Sequence, residues 1–185
     1  MAEILEEKLV QRFLTKIKNN MNIYLDIDDV IFDFQKAYAD RFNTKQQQSW
    51  SNSNLMKKRL TALSLEKDFW LNLPLKNTPN FQPKGFVSAR GINKAWTKAS
   101  LKENNIPGRS NVHQVPWGKS KIEVLKALNC TLFIDDKYET FKECNKNGIF
   151  CLLMDASHNQ KYKTKYRIYD LNIDIILKKF NELND

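Results

Sequence analysis

A chain of 185 residues with 42% hydrophobic content can bury one sizeable core and a small insertion, which excludes two full domains. It contains no apolar run long enough for a membrane span or a secretory signal, so we expect a soluble, cytoplasmic protein without a membrane partner. The net charge of +9 favours anionic partners, including phosphates, nucleotides and nucleic acid, but the basic residues are spread along the chain and do not choose among them.

The first predicted element is an amphipathic helix within residues 1–20. Apolar side chains recur at helical spacing from Ile4 to Ile17, with charged and amide side chains between them. We expect this helix to pack on the core ahead of the first strand. The alternative is a helix that binds a partner or a membrane surface.

A short, buried strand is predicted at 23–25, and it stops abruptly in Asp26, Asp28 and Asp29. In an open α/β sheet, ligands bind beyond the carboxyl ends of the strands. Carboxylates this close repel one another unless a cation or a shared proton relieves them. The pattern therefore predicts a functional site, and its alternative is a solvated turn that caps the following helix.

A helix is predicted from Val30 to about Phe42, after which the amino-acid composition of the chain changes. The next segment is first rich in Gln, Asn and Ser and then apolar at helical intervals, which predicts a small helical cap over 43–80. Phe69 and Trp70 in this cap offer an aromatic face for a substrate base. The alternative is that both rings fill the core of the insertion itself.

A second strand is predicted within GFVSAR at 85–90, followed by a helix over 93–105. The strand ends at Ser88, whose hydroxyl can donate to an anion, and Arg90 follows two residues later. Serine is also a common turn residue, so this segment by itself leaves both interpretations open.

A possible third strand at 112–115 leads through a turn to Lys119 and Lys121, and a helix begins directly after them. A lysine at a helix start acts against the helix dipole, so a bound anion would explain one held there. Lys121 is favoured because it leads straight into the helix. The alternative for either residue is a solvent-exposed lysine on a turn.

A fourth strand is predicted at 131–134, and it also ends in paired acids, Asp135 and Asp136. In a parallel sheet, two strands that each stop in carboxylates would bring four acids to one edge. Such a group of hard oxygen ligands suits Mg²⁺. This recurrence is the strongest indication of function that the residues provide.

The remaining elements complete an alternation of strands and helices. A helix ending at Asn147 precedes a fifth strand at 148–155, and a polar loop follows in which His158 is predicted to face solvent. A short strand at 167–169 and a final helix capped by Asn172 end the chain.

In order and spacing, four of these segments resemble the four motifs of the haloacid dehalogenase (HAD) superfamily of phosphotransferases. The segments are DIDDV at 26–30, VSAR at 87–90, Lys119 or Lys121 before a helix, and IDD at 134–136. The resemblance implies an α/β fold with a three-layer, Rossmann-like parallel sheet, helices on both faces and a small helical cap after the first strand. The core would comprise 21–42 and 81–185.

Within this superfamily, two further segments look like those of the 5'(3')-deoxyribonucleotidases and their bacterial and phage relatives. They are DFWLNLPLK at 68–76 and MDASHN at 154–159. The likeness covers about residues 22–180, so the first helix lies outside it. Asp29 stands where glycine is frequent in nucleotidases, and Ser88 stands where threonine is.

The resemblance implies that Asp26 is the nucleophile and forms an aspartyl-phosphate, while Asp28 protonates the leaving oxygen and later activates water. Mg²⁺ would be held by Asp26, the main-chain carbonyl of Asp28, and Asp135 or Asp136. The phosphoryl group would be bound by Ser88, Ala89 and Lys121 or Lys119. Phe69, Trp70 and Arg90 would contact the substrate beneath the cap.

The leading hypothesis is thus a Mg²⁺-dependent nucleotidase that acts on a nucleoside monophosphate. The alternatives are a phosphatase for polynucleotide 3' ends, suggested by the positive charge, and a catalytically silent binding or structural module. The sequence does not decide the base, sugar or phosphate position, nor whether the protein is a homodimer.

Overall fold

The computed structural model describes residues 21–46 and 53–184, so the helix predicted within 1–20 lies outside the described residues. Six parallel strands form one sheet. They are β1 (Ile23–Leu25), β2 (Gly85–Ser88), β3 (Val112–Gln114), β4 (Leu132–Asp135), β5 (Phe150–Met154) and β6 (Arg167–Ile168).

Seven α-helices are found in the described part of the chain. They are α1 (Phe34–Phe42), α2 (Asn54–Leu63), α3 (Lys67–Leu71), α4 (Lys94–Glu103), α5 (Ile122–Ala127), α6 (Tyr138–Lys146) and α7 (Ile173–Asn184). A 3₁₀ turn at Ser157–Asn159 lies between β5 and β6. None of the helices in these residues is long and apolar enough to cross a membrane.

The strand order is β3-β2-β1-β4-β5-β6, which places β1 at the centre between β2 and β4. Successive side chains of a strand point to opposite faces. Accordingly, Ile23 and Leu25 belong to an apolar cluster that includes residues of α1, α4 and α7, whereas Tyr24 belongs to a second cluster with residues of α5 and α6. Because both faces are covered, the central strands β1, β4 and β5 are almost entirely apolar rather than alternating.

The predicted α/β class with a parallel sheet and helices on both faces is confirmed, and all six predicted strands are present. The first helix, however, begins at Phe34 and not at Val30. The intervening residues form a tight loop in which the amides of Ile31 and Phe32 both donate to the carbonyl of Ile27. Asp33 then caps the helix by accepting a hydrogen bond from the Lys36 amide.

Two short helices, α2 and α3, occupy the segment between α1 and β2. Their junction is fixed by the Trp70 indole, which donates a 2.7 Å hydrogen bond to the carbonyl of Leu63. The Trp70 ring also stacks on Phe34 of α1, with centroids 5.6 Å apart, and Phe69 packs edge-on against both rings. These contacts anchor the two helices beside the carboxyl end of β1.

Candidate active site

Polar side chains from three neighbouring strands meet at the carboxyl edge of the sheet. Asp26 follows β1, Ser88 ends β2 and Asp135 ends β4. In the register of the sheet, Leu25 lies beside Phe86 on one side and Ile134 on the other. Ligand-type oxygens of Asp26, Asp135 and Asp136 lie within 4.8 Å of one another, so the acids at the ends of β1 and β4, which are far apart along the chain, do converge.

Lys121 joins these acids at the centre of the group. Its Nζ lies 2.6 Å from Asp26 Oδ2 and 2.7 Å from Asp135 Oδ2. The lysine is buried and occupies the N-cap position of α5. Lys119, the other candidate, is exposed and reaches only the wall of the adjoining cavity. Of the two lysines, Lys121 is therefore the one in contact with the acids.

A cavity of about 330 Å³ opens beside this group, between the sheet edge and α2–α3. The predicted site residues that line it are Asp26, Asp28, Trp70, Ser88, Ala89, Arg90, Lys119, Lys121 and Asp136. Asp135 is fully buried beneath it, and Phe69 packs behind Trp70 without lining it. Sequence reasoning missed several apolar wall residues, namely Phe34, Leu60, Ile92 and Trp117.

Arg90 lies at the cavity wall, where its guanidinium is bound to the carboxylate of Asp28. Its Nε and Nη2 lie 3.0 and 2.7 Å from the carboxylate oxygens. The Arg90 side chain is fully buried and its guanidinium carbon lies 5.2 Å from the centre of the Trp70 ring and 5.7 Å from that of Phe32. This planar, two-nitrogen contact fixes the orientation of the Asp28 carboxylate at the cavity wall.

The prediction that His158 faces solvent is wrong. The imidazole is only 2% exposed, with Nε2 2.8 Å from Asp136 Oδ2 and Nδ1 3.9 Å from Asp29 Oδ2. The surrounding loop is polar, but the 3₁₀ turn folds His158 inward beneath the acids. Local composition indicates a surface loop and carries no information about the distant carboxylates that this histidine contacts.

The same loop holds the backbone of Asp136. Asn159 Nδ2 donates to the carbonyls of Asp136 and Met154 at 2.6 and 2.8 Å. Arg167 on β6 donates in turn to the Asn159 carbonyl and to Asp155. The segment MDASHN, noted above for its likeness to nucleotidases, was the signal in the sequence that pointed to this loop.

Asp29 faces away from the cavity. It adopts a positive φ of 56°, a conformation that glycine and, less readily, Asp and Asn accept. Its Oδ1 accepts a hydrogen bond from the amide of Gln35 in α1. The sequence allowed two interpretations of these acids, a functional site and a turn that caps the next helix, and each applies to different residues. Asp29 and Asp33 support the start of α1, whereas Asp26 and Asp28 line the cavity.

Burial dominates the electrostatics of Asp26. It raises the pKa of this carboxyl to about 8, since the charge of Lys121 only partly offsets the loss of solvent and the neighbouring acids raise it further. Burial likewise raises the pKa of Asp135. Burial would also raise the pKa of Asp136, but His158 outweighs it and lowers the pKa instead.

The raised pKa of Asp26 predicts a pH-dependent stability of the metal-free protein. Between its usual pKa of 3.8 and about 8, Asp26 is ionised in the unfolded chain and protonated in the fold. The free energy of unfolding, relative to that of Asp26→Asn, should therefore fall as the pH rises through this window and then level off. Urea unfolding of both proteins in EDTA at several pH values measures the difference. If the free energies of unfolding of the two proteins changed with pH in the same way, the raised pKa of Asp26 would be contradicted.

The group has more acids than bases in direct contact. Five carboxylates form ion pairs with three basic side chains, which leaves two negative charges unmatched when all are ionised. The acids are Asp26, Asp28, Asp29, Asp135 and Asp136, and the bases are Arg90, Lys121 and His158. A divalent cation would supply the missing charge, and an all-oxygen donor set suits Mg²⁺.

No protein-family model matches this sequence, and no curated protein matches it either. The class that fold and site define is an α/β protein with a parallel sheet and a cavity lined by acids at the carboxyl edge of its central strands.

Proposed function

We propose that this protein is a Mg²⁺-dependent phosphomonoester hydrolase of the HAD type, similar to the 5'(3')-deoxyribonucleotidases. One observation carries the proposal: Asp26, which follows β1, and Asp135, which ends β4, meet around the buried Lys121 beside a cavity. The four motifs that suggested the superfamily are thus brought together at one sheet edge, where α/β enzymes bind their ligands.

In this proposal Asp26 is the nucleophile. Its Oδ1 accepts a 2.7 Å hydrogen bond from the Ile27 amide and its Oδ2 is paired with Lys121, so the carboxylate is held in one orientation. A carboxylate oxygen attacks phosphorus, the bond from phosphorus to the leaving oxygen breaks, and an aspartyl-phosphate forms. Water then attacks the phosphorus and releases inorganic phosphate with Asp26 restored.

Asp28 is the proposed acid and base. It gives its proton to the leaving oxygen in the first step and takes a proton from the attacking water in the second. Its contact with Arg90 supports this role, because a group that transfers a proton must be held within reach of the reacting oxygen. Arg90 is thus assigned to Asp28 and not, as the sequence suggested, to the substrate beneath the cap.

Among the acids, Asp136 suits a magnesium ligand better than Asp135 does. Asp135 is fully buried and does not line the cavity, and its two oxygens contact Lys121 Nζ and the Lys137 amide. Asp136 lines the cavity and would hold the ion together with Asp26 and the main-chain carbonyl of Asp28. When bound, Mg²⁺ would lower the repulsion between a carboxylate nucleophile and an anionic phosphate.

The phosphoryl oxygens would be bound by Ser88 and Ala89 at the end of β2 and by Lys121. On the other side of the cavity, Phe34 and Trp70 present stacked rings, which offer an apolar surface for a base. This combination of a charged floor and an aromatic wall supports a nucleoside monophosphate as the substrate.

A second candidate is the phosphate at the end of a nucleic-acid strand. Trp117 is 45% exposed at the cavity wall, next to the exposed Lys119, and an exposed aromatic ring beside basic residues is typical of single-strand binding. The affinity for such a substrate would fall steeply as the salt concentration rises.

We expect phosphate release from deoxynucleoside monophosphates in Mg²⁺ and none in EDTA. A malachite-green assay over a panel of nucleotides tests this, with a 3'-phosphorylated oligonucleotide in parallel. A preference for the oligonucleotide, lost between low and moderate salt, would favour the second candidate. Absence of phosphate release from every substrate in Mg²⁺ would contradict the enzymatic proposal.

A further inference from the structure

We propose that His158 is a positioning residue for the carboxylate of Asp136 and so sets the affinity of the site for Mg²⁺. This inference rests on the proposed function, in which Asp136 is a metal ligand. It assigns a role to a side chain that lies outside the cavity, on the loop between β5 and β6.

The contact is close and shielded from water. His158 Nε2 lies 2.8 Å from Asp136 Oδ2, and both side chains are no more than 3% exposed. The same nitrogen lies 3.3 Å from the main-chain carbonyl oxygen of Asp136. A carboxylate fixed through one oxygen presents its other oxygen in a defined direction, which a small ion with strict octahedral geometry requires.

The imidazole lies between two carboxylates. Its Nδ1 faces Asp29 Oδ2 at 3.9 Å, and Asp29 is itself fixed by the Gln35 amide. Asn159, the next residue, donates to the Asp136 carbonyl at 2.6 Å and is anchored by Arg167. The loop therefore holds both the backbone and the side chain of Asp136.

A second metal site formed by Asp29, Asp136 and His158 fits the geometry less well. The three residues offer ligand atoms within 4.8 Å of one another. However, the imidazole presents a different nitrogen to each carboxylate, so the closest contacts do not converge on one point. The imidazole is in close contact with Asp136 and more distant from Asp29, and this favours positioning of Asp136 over shared ligation of a metal.

The test compares three variants, His158→Ala, His158→Gln and His158→Asn. The glutamine amide can place a donor near the position of Nε2, whereas the asparagine amide reaches only the position of Nδ1. We expect His158→Ala and His158→Asn to weaken Mg²⁺ binding by about 10- to 100-fold and His158→Gln to restore most of it. Isothermal titration calorimetry measures the dissociation constant directly, without reliance on activity.

The matched control is His113→Gln, because His113 is a half-buried histidine on β3 that contacts Asn111 and lies outside the cavity. We expect its Mg²⁺ affinity to equal that of the wild type. Urea unfolding of each variant measures its free energy of unfolding. The comparison shows whether the Mg²⁺ affinity depends on the position of the hydrogen-bond donor or only on the stability of the variant. If His158→Ala does not fold, the comparison of the glutamine and asparagine variants decides.

Three results would overturn the inference, and they are distinguishable. If the wild type hydrolyses nucleotides in Mg²⁺ and the three variants bind the ion as tightly as the wild type, the positioning role is wrong and the proposed function stands. If the wild type neither binds Mg²⁺ nor releases phosphate, both proposals fail together. Equal weakening in the glutamine and asparagine variants would also refute positioning through Nε2.

Discussion

Asp26→Asn is expected to lower the rate of phosphate release by at least about 10⁴-fold while the protein stays folded. The amide is a poor nucleophile, so no aspartyl-phosphate can form. Folding should be little affected at neutral pH, because burial raises the pKa of Asp26 to about 8 and the metal-free fold already holds this side chain largely uncharged. Initial rates in saturating Mg²⁺, with circular dichroism for the fold, measure both effects.

Asp33→Asn provides the matched control. It makes the same chemical change seven positions later, at the N-cap of α1, where Asp33 accepts from the Lys36 amide and where asparagine caps equally well. This variant should retain wild-type activity. Comparable activity of Asp26→Asn and the wild type would contradict the nucleophile assignment, whatever the Mg²⁺ dependence.

The fold and the floor of the site follow from local sequence patterns. Each central strand is a short apolar run, and the residue types change sharply at Asp26 and Asp135, where β1 and β4 end. Because parallel strands end at the same sheet edge, strand assignment alone was enough to predict that these acids meet. Lys121 was favoured for a similar reason, its position at a helix start.

The side-chain pairs that organise the site were not predictable in this way. The contact of Arg90 with Asp28 and that of His158 with Asp136 join segments 62 and 22 residues apart, and nothing in either segment identifies its partner. A histidine in a polar loop has the same local pattern whether it faces solvent or a buried carboxylate. Only the path of the chain between the strands decides which of the two occurs.

The helix start at Phe34 shows a related limit. The apolar side chains at 30–32 and 34 suggest a continuous helix, but the left-handed conformation of Asp29 and the tight loop after it bury these side chains before the helix begins. The competing signal was the polar side chain of Asp33, which is a good N-cap. The prediction followed the hydrophobic periodicity and placed the helix start at Val30. In the structure the N-cap residue Asp33 sets the helix start at Phe34.

Lys121→Met is expected to impair both stability and catalysis. Removing the ammonium leaves the fully buried Asp135 carboxylate without its charged partner, and loss of one partner from a buried ion pair costs about 3–5 kcal/mol. The variant also lacks a donor for the phosphoryl oxygens, which lowers kcat by roughly 10²- to 10³-fold. Chemical unfolding gives the first quantity and steady-state kinetics the second.

Lys119→Met is the natural comparison, because the two lysines are separated by one residue and the sequence left them as alternatives. Lys119 is exposed and forms no ion pair among the described residues, so its loss should change the free energy of unfolding by less than about 0.5 kcal/mol. Because Lys119 lies at the cavity wall, we expect Lys119→Met to show a modest rise in KM for an anionic substrate, with kcat unchanged. A larger loss of kcat in Lys119→Met than in Lys121→Met would contradict the proposed arrangement of the site, because Lys121 and not Lys119 contacts Asp26, the proposed nucleophile.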